Sequence, residues 1–280
     1  MEKETKRLKI LAYKMRKEII QMTNKAKSGH PGGSLSCIDI LTCLYFNVLR
    51  HNPENPEWQD RDFFILSKGH ASPAIYSVLA YSGYFEKDEL KSFRQLNSRL
   101  QGHPEKGRLG GVEITTGSLG QGLSIANGIA LGLKLKKSRA RVYCLLGDGE
   151  LQEGQLWEAI QSAGHRQLDN LCVILDRNRL QIDGFVEDLK KEEPIEDKLK
   201  SFLFNVLRID GHNFNSILDA FSIAQKTKSK PTFIIADTIK GKGVSFMENN
   251  VKFHGVPPDD KETETALREI DEELRKMEGE

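Results

Sequence analysis

The sequence predicts an α/β fold, a parallel sheet with helices on both faces, and three observations carry that reading. Val142-Tyr143-Cys144-Leu145-Leu146 and Leu171-Cys172-Val173-Ile174-Leu175 are unbroken apolar runs of strand length, the pattern of strands buried on both faces. A segment of helical character, residues 155–166, lies between them, which is the spacing of a parallel strand–helix–strand unit. Each run ends in oxygen-bearing side chains, Gly147-Asp148-Gly149 after the first and Asp176-Arg177-Asn178 after the second.

The other elements follow in chain order. Leu8, Leu11, Ala12, Met15, Ile19 and Met22 recur at helical spacing, so residues 6–22 are predicted helical. Residues 24–33 read as a polar, glycine-rich loop and residues 38–48 as a buried helix. Phe63-Phe64-Ile65-Leu66 is a short buried strand, and Pro73 suits the first turn of a helix reaching Tyr81. Residues 101–117 form a long glycine-rich loop, a length that usually signals function. The small residues Ala126, Gly128, Ala130 and Gly132 predict a closely packed helix over 119–135. Residues 204–209 and 232–236 read as further strands with a helix over 217–224 between them. Residues 190–200 read as a charge-rich surface segment and 262–277 as an amphipathic helix. The strands continue past the middle, with no repeat and no low-complexity linker, so residues 1–280 are expected to form one domain.

Composition excludes several classes. Forty-one basic and 40 acidic residues give a formal net charge of +1, which suggests neither a nucleic-acid nor a membrane-surface partner. No apolar stretch follows the charged start from Met1 to Arg7, and no run approaches the roughly 20 apolar residues that span a bilayer, so a cytoplasmic protein is expected. Cys37, Cys43, Cys144 and Cys172 sit among apolar neighbours without C-x-x-C spacing and read as buried thiols.

The chemistry-bearing residues start at the strand ends. Ligands of open α/β sheets bind beyond the carboxyl ends of the strands. If the two central strands are adjacent, Asp148 and Asn178 converge there. A carboxylate, an amide oxygen and a backbone carbonyl, that of Leu180, make a hard site of low charge, suited to Mg²⁺ completed by phosphate oxygens. Gly149 lets its backbone approach a diphosphate closely. Taken alone, Gly-Asp-Gly is an ordinary turn; the pairing with Asn178 is what favours metal and phosphate. A dinucleotide fingerprint is excluded because Gly147-Asp148-Gly149-Glu150-Leu151-Gln152 lacks the third glycine.

Six of the seven histidines, His30, His70, His103, His165, His212 and His254, adjoin a glycine; only His51 does not. A neutral imidazole donates one hydrogen bond and accepts another, which suits sugar hydroxyls and acid/base work. His165 at a helix end and His212 after a strand read as ordinary loop residues. Gly117-Ser118-Leu119-Gly120-Gln121-Gly122 enters a helix and offers N–H groups for phosphate or a polar ring. Lys240, in Lys240-Gly241-Lys242-Gly243, adds a cation near flexible backbone, with a plain surface lysine as the alternative.

Taken together these segments resemble the transketolase family. The matching stretches, in family order, are Ser28-Gly29-His30-Pro31-Gly32, Ser67-Lys68-Gly69-His70-Ala71, Gly102-His103-Pro104-Glu105, Thr115 to Gly122, Gly147 to Gly154, Asp176-Arg177-Asn178, Asp210-Gly211-His212 and Lys240 to Gly243. The resemblance implies the thiamine-diphosphate-binding fold, with thiamine diphosphate and Mg²⁺ as cofactors. On the family pattern Asp148, Asn178 and the Leu180 carbonyl bind metal. His70, Gly117, Ser118, Leu119, Gly149, Asn178, Lys240 and His254 lie on the cofactor. His30, His103 and His254 face the sugar, and Glu153 resembles the glutamate that links two cofactor sites across a dimer. Gly-Ser-Leu replaces the Gly-Pro-Leu of many members. Single-chain members continue through pyrimidine-binding and C-terminal domains, so the resemblance implies a partner C-terminal subunit carrying both, in an α2β2 assembly. The implied reaction moves a two-carbon ketol unit from a ketose phosphate to an aldose phosphate, as in the pentose phosphate pathway. A split enzyme for a sulfonated or branched sugar, and a noncatalytic regulatory paralogue, are the alternatives.

Overall fold

Five parallel strands form the centre of the computed structural model, which describes residues 2–182 and 184–279. They are β1 (Phe63–Leu66), β2 (Val142–Gly147), β3 (Leu171–Arg177), β6 (Asn205–Asp210) and β7 (Thr232–Asp237), and they lie in the order β1-β2-β3-β7-β6. A two-stranded antiparallel ribbon, β4 (Leu180–Gln181) with β5 (Gly184–Phe185), follows β3. The central strands β2 and β3 are adjacent, with Gly147 paired to Asp176, so their ends lie side by side as the sequence requires.

Side chains alternate along each strand between two buried clusters, because successive residues point to opposite faces. Tyr143, Leu145, Cys172, Ile174 and Ile234 pack beneath α1 (Glu2–Ala26), α2 (Pro31–Cys43), α3 (Ser72–Tyr81), α8 (Phe214–Lys226) and α9 (Asp260–Glu278). Val142, Cys144, Leu146, Val173, Leu175 and Phe233 pack beneath α4 (Gln121–Leu135), α5 (Gly154–His165) and α7 (Ile195–Ser201). A single turn, α6 (Val186–Leu189), completes the helices. All four cysteines are free and buried. No helix of the described residues is long and apolar enough to cross a membrane.

The topology places a crevice. The chain runs β1, β2, β3 in one direction, jumps to the edge as β6 and steps back to β7. The direction reverses between β3 and β7, so the loops after those two strands part there, and ligands of open sheets bind at such switch points.

Several sequence expectations need correction. Of residues 24–33 only 27–30 form a loop: α1 runs to Ala26 and α2 begins at Pro31, whose fixed φ starts the helix, and Gly32 and Gly33 lie in its buried first turn. The predicted helix over 38–48 ends as a π-helical turn at Leu44–Val48. Residues 190–200 are not merely a surface segment, because α7 buries Ile195 and Leu199 four residues apart on one face. The α4 helix buries Leu123, Ala126 and Ala130 against the sheet, while a methyl group added to Gly128 or Gly132 would meet nothing within 4 Å, so part of its small-residue surface is open. At the other end of the chain, α9 carries a capping box in which Asp259 accepts from Glu262 N at 2.8 Å and Glu262 accepts from Asp259 N at 2.9 Å.

Candidate active site

The cavity lies at that switch point, with a volume of about 390 Å³, lined by the ends of β2 and β3, the β4 ribbon and the loops carrying the histidines and Lys240. Two buried aspartates end the neighbouring strands there: Asp148 lines the cavity, and Asp176 lies behind the lining. Asp176 accepts hydrogen bonds from Ser36 Oγ at 2.6 Å, from Asn178 Nδ2 at 3.3 Å, and from Lys68 Nζ and Thr238 Oγ1. Burial opposes its ionisation, but the Lys68 ammonium and these donors hold its carboxyl below the usual range. Lys68 also donates to Gly33 O at 2.7 Å, tying the end of β1 to the first turn of α2.

Asp148 differs. Its Oδ2 accepts from Arg179 N, but its Oδ1 is buried without a hydrogen-bond partner among the described residues. Burial, followed by the Asp176 and Glu192 carboxylates, pushes its carboxyl well above the usual range. An unpaired buried oxygen costs free energy unless something completes it. Asn178 Oδ1 accepts from Leu180 N at 3.2 Å, and Leu180 O accepts from Lys240 Nζ at 3.2 Å. Each of those carbonyl oxygens keeps a second lone pair. Asp148, Asn178 and Leu180, the oxygen donors singled out in the sequence, all line this cavity. No group of three or more His, Cys, Asp or Glu that could hold a metal occurs among the described residues. A cation here would therefore need oxygens from an anionic ligand, which is how Mg²⁺ is commonly held with phosphates. The donor set fits a magnesium diphosphate group.

Gly149 leaves the cradle open: a methyl group there would meet the Gln181 side chain at 3.1 Å. Lys240, expected at the surface on the plain reading, is 2% exposed. Burial, and then the Lys68 charge, lower its ammonium pKa to about 8. Its Nζ lies 2.8 Å from His254 Nδ1. An ammonium only donates, so His254 Nδ1 accepts and its proton sits on Nε2.

The imidazoles gather on one wall. Ring centroids lie 5.2 Å apart for His30 and His70, 5.4 Å for His70 and His254, 5.5 Å for His30 and His254, and 6.5 Å for His30 and His103. Burial, followed by the Arg94 charge, lowers His30 to about 4, and burial followed by the Lys240 charge lowers His254 to about 3. Burial and then Lys68 push His70 well down, and burial and then Arg94 push His103 down. At neutral pH the wall is therefore a set of uncharged donors and acceptors.

Of the residues named from the sequence, His30, His70, Gly117, Leu119, Asp148, Gly149, Glu153, Asn178, Leu180, Lys240 and His254 line the cavity. His103 adjoins it, beside His30 and within 3.2 Å of a methyl position on Gly117. Ser118 is exposed and lies outside the lining, and Gly120 N is already used, donating to Glu150 Oε1 at 2.9 Å. Sequence reasoning missed Lys68, Glu150 and Ile182 of the lining, and Asp176, the buried partner of Lys68. The signal for Asp176 was present: a carboxylate ending an unbroken apolar strand is buried and must find a partner. His212, read as an ordinary loop residue, is instead paired to buried Asp39 at 2.8 Å.

Comparison with known proteins gives concordant results. The family described as "Transketolase, thiamine diphosphate binding domain" matches residues 8–273. A 6-deoxy-6-sulfo-D-fructose transketolase subunit from Clostridium sp. (strain MSTE9) is 40% identical over 92% of this chain and 94% of its own length. An apulose-4-phosphate transketolase subunit from Phocaeicola vulgatus is 39% identical over 100% of this chain and 99% of its own. Human transketolase is 39% identical over 94% of this chain, which matches 42% of it. The crystal structure of Campylobacter jejuni transketolase superposes with a TM-score of 0.85 at 38% identity, covering 97% of this chain and 48% of that one.

Proposed function

This chain belongs to the transketolase family, and from that premise we propose that it is the N-terminal, diphosphate-binding subunit of a split enzyme, and that residues 1–280 form one domain that binds Mg²⁺ and thiamine diphosphate and transfers two-carbon ketol units between sugar phosphates. The reading rests on one observation above the others. The unpartnered Asp148 oxygen shares one strand-end cavity with Asn178, Leu180 and a set of neutral imidazoles, and Lys240 bridges the Leu180 carbonyl to His254.

Asp148, Asn178 and Leu180 O would hold Mg²⁺, with the diphosphate supplying the remaining oxygens. Gly149 and Lys240 would hold the diphosphate itself. Thiamine diphosphate supplies a carbanion for cleaving and forming carbon–carbon bonds beside a carbonyl, which no side chain of this chain can supply. The chain's own residues bind, orient and move protons. His254, with its proton on Nε2, presents a donor to the cavity. His30 would take and return the proton of the donor sugar's C3 hydroxyl, His254 would assist that transfer by donating from Nε2, and His103 would hold the C1 hydroxyl. Its depressed pKa keeps the His30 ring neutral, with a nitrogen able to accept a proton. Gly117 and Leu119 would pack on the cofactor, with Ser118, exposed here, at its margin. Glu153 at the rim would reach a second site across an α2β2 assembly with a partner C-terminal subunit in the cytoplasm.

The chain spans about half of the single-chain relatives it matches, which makes the partner part of the proposal. A noncatalytic paralogue accounts poorly for an intact oxygen set and histidine wall. A second reading concerns the sugar. The relatives matched over nearly their whole lengths are named for 6-deoxy-6-sulfo-D-fructose and apulose 4-phosphate, so a sulfonated or branched ketose is the alternative donor. Co-purification with the neighbouring gene's product, followed by ketol transfer from xylulose 5-phosphate, apulose 4-phosphate and 6-deoxy-6-sulfofructose, tests both. Turnover of only the second or third donor would replace the pentose phosphate reading, and no magnesium-dependent turnover of any would remove the enzyme reading.

A further inference from the structure

Outside the cavity the most completely specified polar cluster is Arg16, Asp39 and His212, on α1, α2 and the loop after β6. Arg16 and Asp39 are 1% and 3% exposed. The guanidinium grips the carboxylate with two bonds of 2.8 Å, Nη1 to Oδ1 and Nη2 to Oδ2. Burial alone would raise the Asp39 carboxyl, but Arg16 and His212 hold it down at about 2. The two ends of this chain of contacts reach one turn. Arg16 Nε donates to Lys242 O at 3.0 Å, and His212 Nε2 accepts from Ile239 N at 2.9 Å. A backbone N–H only donates, so the His212 proton is on Nδ1 and is given to Asp39 Oδ2 at 2.8 Å.

Lys240 lies between the two tethered positions. The turn's internal bonds, such as Asn249 N to Lys240 O at 2.9 Å, set its shape. They do not set where it sits against α1 and α2. Among the described residues the hydrogen bonds that do are Gly241 N to Gly32 O, at 3.0 Å, and the two tethers, beside the apolar packing of Val244 and Met247. Gly243, at φ +93°, admits the approach, since a methyl group there would stand 2.9 Å from Arg16 Nε. We propose that Arg16, Asp39 and His212 form a positioning relay that fixes the 239–243 turn and so aims Lys240, and through it His254, into the cavity. The inference rests on the cavity being the cofactor site, and it adds residues that touch neither cofactor nor sugar.

The test reads Lys240 directly. The full chain is acylated with a water-soluble succinimidyl ester at fixed pH, and Lys240 and Lys68 peptides are quantified by mass spectrometry. Lys68, 1% exposed and held by Asp176, is the internal control. His212→Leu should raise the Lys240 rate on the order of tenfold, the effect of losing a hydrogen bond to a charged group, and leave Lys68 unchanged. His212→Gln, which can still donate and accept, should restore the slow rate. Gly243→Ala cuts the relay at its Arg16 end and should reproduce the Leu result if His212→Leu does not fold. An unchanged Lys240 rate, or a rise in step with Lys68, overturns the relay, because general loosening exposes both lysines. Adding thiamine diphosphate with Mg²⁺ separates the two readings. Failure to protect wild-type Lys240 counts against the cavity as cofactor site, whereas the relay stands or falls on the ratio of variant to wild-type rates.

Discussion

Two buried aspartates end neighbouring strands, and they are opposites. Asp176 is finished by the fold: four donors surround it, one of them the Lys68 ammonium, and its proton is held off. Asp148 is left with a backbone N–H on one oxygen and, among the described residues, nothing on the other, and its carboxyl is pushed well above the usual range. Burial opposes ionisation of both. What differs is whether the chain supplies the counter-charge. A carboxylate whose partners are all internal serves the folded state, and one that lacks them serves a ligand that brings a cation.

The largest expected effect comes from breaking the finished site. Asp176→Ala leaves the Lys68 ammonium buried and uncompensated, which costs about 3–5 kcal/mol. Chemical denaturation should show that loss whether or not cofactor is present. A variant within about 0.5 kcal/mol of wild type would mean that the Lys68 pair does not carry the fold.

Breaking the unfinished site should do the reverse. Asp148→Asn should lower magnesium-dependent thiamine diphosphate affinity by more than about 100-fold, exceeding the usual loss from an outer-shell change. It should also leave the cofactor-free protein as stable or more stable at neutral pH. The sign follows from linkage. A carboxyl raised in the folded state binds a proton there that the unfolded chain has released, so wild-type stability falls as pH rises above about 4. The variant's advantage should therefore vanish near pH 4 and grow above it. Calorimetric titration together with melting curves from pH 4 to 7 measures both. Unaltered affinity would show that Asp148 is not a metal ligand.

The histidine wall should show the opposite pH sign. With folded pKa values of about 4 for His30 and about 3 for His254, the unfolded chain takes up these protons first. Stability conferred above the unfolded value of about 6.5 is lost as pH falls toward those folded values. A His30→Asn/His254→Asn variant should lose less than wild type between pH 7 and pH 5 in thermal melts. Parallel curves would mean that the rings are not held neutral by burial.

How much of this was legible in the sequence depends on separation along the chain. Asp148 and Asn178 could be read because each follows its own strand and the apolar runs announce those strands. The Lys68–Asp176 pair is 108 residues apart and His212–Asp39 is 173. Nothing local in the sequence reports such a contact. Residues 190–200 misled because lysines and glutamates dominate the window, although Ile195 and Leu199, the two apolar positions four apart, carry the burial. Pro31-Gly32-Gly33 misled in the other direction. Glycines usually mark loops, but here they let α2 press against two later segments, since a methyl on Gly32 would stand 2.7 Å from Phe253 O and 3.1 Å from the Lys240 side chain.

The smallest change sharpens the contrast most. Gly149 follows Asp148 directly, has no positive φ among the glycines that require one, and would place a methyl group 3.1 Å from the end of the Gln181 side chain. Gly149→Ala should therefore cost the fold less than about 0.5 kcal/mol, as a surface-like change does. The same methyl group projects toward the cradle where a diphosphate would lie against backbone, so affinity for thiamine diphosphate should fall several-fold while the melting temperature holds. In the free protein the Gln181 amide end can swing away and its Cβ, 3.3 Å from the added methyl, needs to give by only a few tenths of an ångström, whereas a diphosphate held against the backbone has no such room. If affinity and stability instead fell together, Gly149 would belong with Asp176 among the groups the fold needs for itself, and the division drawn between the two strand ends would have to be moved.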